Sequence, residues 1–225
     1  MKIAILGTGV VGRSHAARLA ELGHGVLLGT QDVEKTRANT ETDAMGNIPF
    51  AEWQAKHPSV LLATFAEAVT QSDVVFDALK GEIALTTLSS LKEMLAGKVL
   101  VDIANPLDFS RGMPPTLLVC NTDSLGEQIQ RALPETRVVK AFNTLNAELQ
   151  VEPMKLASGD HSLFVCGNDA EAKRIVSELA TGYGWKHVID LGDISAARGT
   201  EMLLPIWLRL WGALKTPAFN FKIVQ

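Results

Sequence analysis

Apolar and polar positions follow one another along this chain in two rhythms. Short apolar runs occupy residues 2–6, 25–29, 60–63, 73–78, 98–103, 137–140, 162–166 and 187–190. Runs of that length, bounded by turn residues, predict strands buried on both faces. Between them apolar positions recur at three- and four-residue intervals, which predicts helices. The first helix, 10–22, carries Val11, Ala16, Leu19 and Leu22 on one side, and Gly23 is placed to end it. Further helices are predicted at 65–71, 83–95, 124–133 and 169–180, with short ones after the second strand and at 51–56. In 169–180, Ile175, Val176 and Leu179 face in while Glu171, Lys173, Arg174 and Glu178 face out. Ser124, with Glu127 three residues on, has the pattern of a capping box. Residues 105–115 hold three prolines and a glycine, so an irregular loop is expected there. A last helix is predicted over 194–214 with a kink at Pro205, followed by an edge strand at 219–224.

The alternation of strands and helices implies an α/β fold: a doubly wound, mostly parallel sheet covered on both faces. A length of 225 residues accommodates one large domain or two small ones. No repeat, low-complexity segment or linker divides the chain. A single domain over 1–225 is therefore expected, with a small helical C-terminal extension from about residue 191.

Composition narrows the function. Lys and Arg number 21 against 25 Asp and Glu, a net charge of −4, which argues against nucleic-acid binding. The 47% hydrophobic and 20% charged content is that of a folded globular protein. Cys120 and Cys166 end the apolar runs LLVC and LFVC, so both are expected as buried strand thiols, without metal spacing. The N-terminal MKIAILGTGVVG is too short and glycine-rich for a signal core. The most apolar stretch, 202–214, is interrupted by Pro205 and Arg209 and is too short to span a bilayer. A cytoplasmic protein without membrane or nucleic-acid partners is expected.

Gly7-Thr8-Gly9-Val10-Val11-Gly12 matches G-x-G-x-x-G. The pattern alone is weak, but here it follows a buried strand and opens a helix, the context that makes it specific. Gly7 permits the tight turn, Gly9 lets backbone approach a pyrophosphate, and Gly12 lets helix and strand pack closely. The free N–H groups of the helix start would face the anion. At the end of the second strand, where an NAD site carries Asp or Glu, this chain has Gly29-Thr30-Gln31. A hydroxyl and an amide can donate to a 2′-phosphate, and Lys35 one helical turn on can add charge. That favours NADP over NAD. Asp32 and the lack of an arginine at Gln31 weigh the other way, and Lys35 can equally be a solvated helix lysine.

Several segments together resemble a known family. They are KIAILGTGVVGRS at 2–14, LGHGVLLGTQ at 22–31, VDIANPL at 101–107, VVKAFNTLN at 138–146 and DLGDISAARGTEMLLPIWLRL at 190–210. The chain is similar to the NADP oxidoreductases of the deazaflavin coenzyme F420 type, and to the cytosolic domain of the STEAP ferrireductases. The resemblance implies a Rossmann domain with a small C-terminal extension, acting as a homodimer. It implies that Thr30 and Lys35 grip the 2′-phosphate, with Gln31 standing where the family has arginine. It implies that the nicotinamide lies against Ala78, Leu79 and Lys80, against Asn105 and Pro106, and against Ala141, Phe142 and Asn143. Leu79-Lys80 replaces the family's Ile-Pro, which changes the wall of the acceptor pocket.

Hydride transfer between a nicotinamide and a flavin-like ring needs the rings face to face and water excluded, with little acid–base help. No catalytic side chain is therefore required. No G-x-S-x-G or H-E-x-x-H occurs, which argues against hydrolases. A hydroxy-acid dehydrogenase would need a base, for which only Lys80 and Lys140 lie near strand ends; Lys140 is as readily a strand-edge residue. His15, His24, His57, His161 and His187 are scattered and read as structural or solvated. Asn105-Pro106 ends a strand and can aim an amide into the ligand cleft, or can simply start a turn. Trp207, Leu208, Leu210 and Trp211 fit either the core or a subunit interface through the C-terminal helix. Arg198 and Glu201 are spaced to bridge each other.

The expected function is hydride transfer between NADP(H), or NAD(H), and a deazaflavin or flavin. The alternatives are a ferric or quinone reductase on the same scaffold, a nucleotide sensor without turnover, and a conventional dehydrogenase or imine reductase.

Overall fold

A computed structural model describes residues 1–42 and 47–225. Its apolar runs become β1 (Lys2–Leu6), β2 (Gly25–Thr30), β3 (Leu61–Thr64), β4 (Val74–Asp77) and β5 (Val99–Asp102). Two short strands, β6 (Leu107–Asp108) and β7 (Thr116–Leu117), pair antiparallel within the proline-containing loop. β8 (Arg137–Ala141), β9 (Ser162–Gly167) and β10 (His187–Asp190) follow. The main sheet has eight strands in the order β10-β9-β8-β5-β4-β1-β2-β3. Its neighbours run parallel except at β8–β9. The chain winds outward from β1 to β3, then returns to the other side of β1 at β4. Strand order thus reverses between β1 and β4, and a ligand crevice is expected there.

The helices are α1 (Val10–Glu21), α2 (Val33–Arg37), α3 (Phe50–Lys56), α4 (Phe65–Thr70), α5 (Gly81–Ser90), α6 (Lys92–Leu95), α7 (Leu125–Ala132), α8 (Ala147–Val151), α9 (Ala170–Tyr183), α10 (Ala197–Met202) and α11 (Leu204–Leu214). Alternate strand residues feed two cores, as the two-residue period of a strand requires. Ile3, Ile5, Phe76 and Val139 pack with Leu19 of α1 and Val176 of α9. Ala4, Leu6, Leu100 and Val138 pack with Leu88 of α5 and Ile129 of α7. Asp169 caps α9 by accepting from Ala172 N, and Gly184 at φ +105° ends it. Ser124 caps α7 in the same way, accepting from Glu127 N. No helix among the described residues is long and apolar enough to cross a membrane.

Six expectations are corrected. The helix expected at 83–95 begins at Gly81 and breaks at Leu91 (φ −105°, ψ 9°) into α5 and α6. The helix expected at 194–214 is a 3-10 turn at Ile194–Ala196 followed by α10 and α11. Pro205 lies in the first turn of α11, where its missing N–H is tolerated, so it starts a helix rather than kinking one. Residues 219–224 form no strand; Phe221 O accepts from Ser162 N, and regular pairing goes no further. Cys166 is buried on β9, but Cys120 is exposed, because it lies past the end of the two-residue β7, off the main sheet. Arg198 and Glu201 do not bridge: Arg198 pairs with Glu127 and Glu201 with Lys140. Trp207 is buried, stacked on Phe219 at 5.3 Å, while Trp211 stays half-buried.

A candidate nucleotide crevice at the strand switch point

The turn after β1 is built by steric need. Gly7 has φ +116°, and a Cβ there would lie 2.6 Å from Ala78 O. A Cβ on Gly12 would lie 2.0 Å from Gly7 O, so only glycine lets α1 approach β1 this closely. A Cβ on Gly9 would meet no protein atom within 4 Å. Gly9 is instead the N-cap of α1, with no side-chain cap and no acidic residue in the first turn. The first N–H groups of α1 therefore face the crevice, aligned with the positive end of the helix dipole. These features fit a pyrophosphate: a cradle left open where a side chain would fill it, and donors left free. Arg13 braces the turn, donating from Nε to Thr8 O at 2.8 Å and from a guanidinium nitrogen to Ile48 O at 2.6 Å.

At the end of β2, Thr30 is buried and its hydroxyl lies 2.7 Å from that of Thr36. Gln31 and Lys35 are exposed. Asp32 caps α2, its Oδ1 accepting from Lys35 N at 2.9 Å. The carboxylate that weighed against a 2′-phosphate is thus turned onto the N-terminus of its own helix.

Beyond Gly7 a cavity of about 280 Å³ opens between the strand ends, walled by Val11, Leu79, Ala104, Asn105, Leu145 and Gln150. Lys80 and Phe109 stand at its exposed rim. Ala78, Leu79, Lys80 and Asn105 are brought together here as expected. Ala141, Phe142, Asn143 and Pro106 do not line it. Phe142 (φ +62°) is buried and packs edge-on against His15, 5.2 Å away. Asn143 braces Asn105: Asn105 Nδ2 donates to Asn143 O at 2.9 Å, and Asn143 Nδ2 donates to Asn105 Oδ1 at 3.0 Å.

Leu145 and Gln150 were not anticipated from the sequence. Gln150 Nε2 donates to Leu145 O at 3.0 Å, so its Oε1 faces His15 Nε2 at 2.8 Å. His15 Nε2 therefore donates, and Nδ1 accepts from the Tyr183 hydroxyl at 2.9 Å. Burial drives the His15 pKa down to about 4, against the hydrogen bond to Gln150, so the ring is neutral at physiological pH. Phe142 follows Ala141 into the same core because its positive φ breaks the alternation at the end of β8, so period-two counting from Val139, which lands on Ala141 and Asn143, gives no signal for it.

Beneath the cavity loops lies a row of ionisable side chains in register across the sheet. Asp77 pairs with Asp102 and Asp102 with Lys140, each one position short of, or at, its strand end. All are fully buried. Lys140 Nζ meets Asp102 Oδ2 at 2.9 Å and Glu201 Oε1 at 3.0 Å. Burial acts to lower the Lys140 pKa, but Asp102 and Glu201 outweigh it and raise it, so Lys140 stays an ammonium. It is neither a base nor a strand-edge residue. Asp77 Oδ1 accepts from Leu79 N at 3.0 Å while Oδ2 is buried without a partner. Burial, then the charge of Asp102, push Asp77 up to about 8.

The doubly wound sheet, the switch-point crevice and the glycine cradle define a dinucleotide-binding protein of the Rossmann type. The chain belongs to the family of coenzyme F420-dependent NADP oxidoreductases. The family model, NADP oxidoreductase coenzyme F420-dependent, matches residues 2–106. The chain is 34% identical to the F420-dependent NADP reductase of Methanocaldococcus jannaschii over 228 aligned positions, covering 100% of this chain and 99% of that protein. It is 34% identical to the metalloreductase STEAP3 of Rattus norvegicus over 92% of this chain, spanning 38% of that protein. A crystal structure from Arthrobacter sp. FB24, provisionally described as an F420-dependent NADP reductase, superposes with a TM-score of 0.94 at 56% identity, covering 100% of both chains.

Proposed function

We propose that this chain transfers a hydride between NADP(H) and a deazaflavin- or flavin-type acceptor, and that it does so by positioning. The observation that carries this reading is that Val11, two residues past the open cradle at Gly9, lines the cavity walled by Leu79, Ala104 and Asn105. A dinucleotide on the first would lead into the second. The nicotinamide supplies the hydride; the protein's part is to bind, orient and exclude water. Backbone N–H groups of α1 hold the pyrophosphate, and Lys35 and Gln31 lie at the edge where a 2′-phosphate would sit. That edge supports NADP over NAD. The half-buried walls Leu79 and Leu107 shield one side of the cavity and leave the rim at Lys80 and Phe109 for the acceptor.

The domain acts as one unit over 1–225 and pairs with a second copy through α11, where Ile206 and Leu214 are exposed and Leu208 and Trp211 line an open cavity with the exposed Met113. Light scattering on the purified protein tests the dimer. The similarity to a metalloreductase favours a second reading, in which a ferric chelate takes the electrons at the Lys80 rim. One experiment separates them. NADPH and NADH are each mixed with protein under nitrogen, with deazaflavin coenzyme, FMN or ferric citrate as acceptor. Rapid loss of NADPH absorbance with the deazaflavin supports the first reading. Oxidation with ferric citrate alone moves the assignment to the second. Tight NADPH binding without turnover on any acceptor refutes both and leaves a nucleotide sensor.

A further inference from the structure

We propose that Lys140 is a positioning residue that, with Asp102 and Glu201, clamps the Ala104 peptide and so fixes the cavity wall on which the nicotinamide rests. This deepens the functional reading above and rests on the cavity being the nicotinamide site.

The argument begins with saturation. An ammonium has three protons and no acceptor. Lys140 Nζ spends them on Asp102 Oδ2 at 2.9 Å, Glu201 Oε1 at 3.0 Å and Ala104 O at 2.5 Å. Asp102 turns its other oxygen, Oδ1, to Ala104 N at 2.9 Å. The same residue is thus gripped at its N–H by Asp102 and at its carbonyl by Lys140. Ala104 walls the cavity and leads into Asn105. A shift of the triad cannot leave this wall in place.

Glu201 completes the clamp from the C-terminal segment. Its Oε2 accepts from Leu125 N at 2.9 Å and its Oε1 from Gly126 N at 3.0 Å, the first free N–H groups of α7. A Cβ on Gly126 would come within 3.0 Å of Ala197 Cβ, so glycine is what lets α7 and α10 close over the triad. Three elements distant in sequence therefore converge on one peptide of the site.

Stability alone does not account for the triad. Buried ion pairs are commonly no more stabilising than apolar side chains of the same volume. Here the charges sit at the last inward-facing positions before the site loops and touch the wall directly.

The test compares wild type with the isosteric neutral variant Lys140→Met/Asp102→Asn/Glu201→Gln, and with Glu201→Gln alone in case the triple variant does not fold. Three readouts are taken: binding of 2′,5′-ADP, which reaches only the adenosine end; NADPH turnover; and amide exchange at Ala104. The clamp predicts unchanged 2′,5′-ADP affinity, a fall in kcat of about tenfold or more, and faster exchange at Ala104. Equal losses of 2′,5′-ADP and NADPH binding would show a merely structural role and overturn the proposal. So would unchanged kcat and unchanged exchange. Exchange at Ala104 reads the clamp whether or not wild type turns over, so failure of the functional reading is seen separately, as a wild type inert with NADPH.

Discussion

Asn105 and Asn143, 38 residues apart, exchange two hydrogen bonds across the ends of β5 and β8. One runs from the Asn105 amide to the Asn143 backbone carbonyl, the other between the two side chains. Asn105 walls the cavity; Asn143 holds it there. Asn143→Ala removes only the side-chain bond, whereas Asn105→Ala removes both. A double-mutant cycle on unfolding free energy is expected to give a coupling of about 1 kcal/mol. Asn143→Ala is also expected to lower kcat by about tenfold without weakening 2′,5′-ADP. A coupling of zero would mean that the pair does not form in solution.

The glycines of the turn predict opposite phenotypes. Gly12 has Gly7 O where its Cβ would be, at 2.0 Å, so Gly12→Ala must push α1 off β1. A loss of about 1–3 kcal/mol in stability is expected, read by urea denaturation. Gly9 has nothing within 4 Å of its Cβ position. Gly9→Ala is therefore expected to melt like wild type yet bind NADPH at least about tenfold more weakly, a difference of about 1.4 kcal/mol. If Gly9→Ala leaves NADPH affinity intact, the pyrophosphate does not sit at this helix.

Cofactor choice follows from charge at the β2 edge. Lys35 is exposed, and Asp32 is occupied with the α2 backbone. Lys35→Ala is expected to weaken NADPH by about tenfold and leave NADH unchanged, with the difference shrinking at high salt. Gln31→Arg is expected to strengthen NADPH by a similar factor, since a guanidinium can grip a phosphate with two bonds. Titration of both nucleotides at two ionic strengths checks both. Equal effects on NADPH and NADH would place the 2′-phosphate elsewhere.

How much of this was legible in the sequence depends on whether the determinant was local. The β1–α1–β2 unit was legible because Gly7 and Gly12 are required by contacts within a few residues and within the adjacent strand. The cap at Ser124 was legible for the same reason. The Lys140–Glu201 pair was not, because the two charges lie 61 positions apart and share no motif. A cue existed: Lys140 falls at an inward position of the apolar run RVVKA, where a lone charge demands a partner. Cys120 misled in the other direction, since LLVC has a strand's composition but only its Leu117 pairs, with Leu107 in the small separate sheet, and Cys120 is left outside any strand. Leu145 and Gln150 were not legible because no motif marks them: Leu145 lies in the turn between β8 and α8 and Gln150 on α8, and only the packing of that turn and helix brings them to the cavity.

The pH dependence of stability should carry two opposed signatures from His15 and Asp77. The folded protein holds His15 at about 4, below its ordinary 6.5. The fold thus favours the neutral ring; this contribution is fully present above pH 6.5 and is lost as pH falls toward 4. The full difference corresponds to about 3 kcal/mol. Asp77 does the reverse. Its folded value of about 8, against an ordinary 3.8, favours the protonated acid, so its contribution is present below pH 3.8 and is lost as pH rises toward 8. The two windows overlap from about pH 4 to 6.5, where the opposed slopes cancel, so stability is expected to be level there and to fall from about pH 6.5 toward pH 8 as Asp77 ionises. Asp77→Asn keeps an acceptor for Leu79 N and cannot ionise, so it should raise the melting temperature at neutral and mildly alkaline pH and change little in acid. The gain is expected to be of order 1 kcal/mol. Melting curves of wild type and Asp77→Asn from about pH 4 to pH 9 decide it. A variant that gains nothing at pH 8, or gains most in acid, would show that Asp77 is ionised in the folded protein and that the row beneath the cavity carries a second free negative charge.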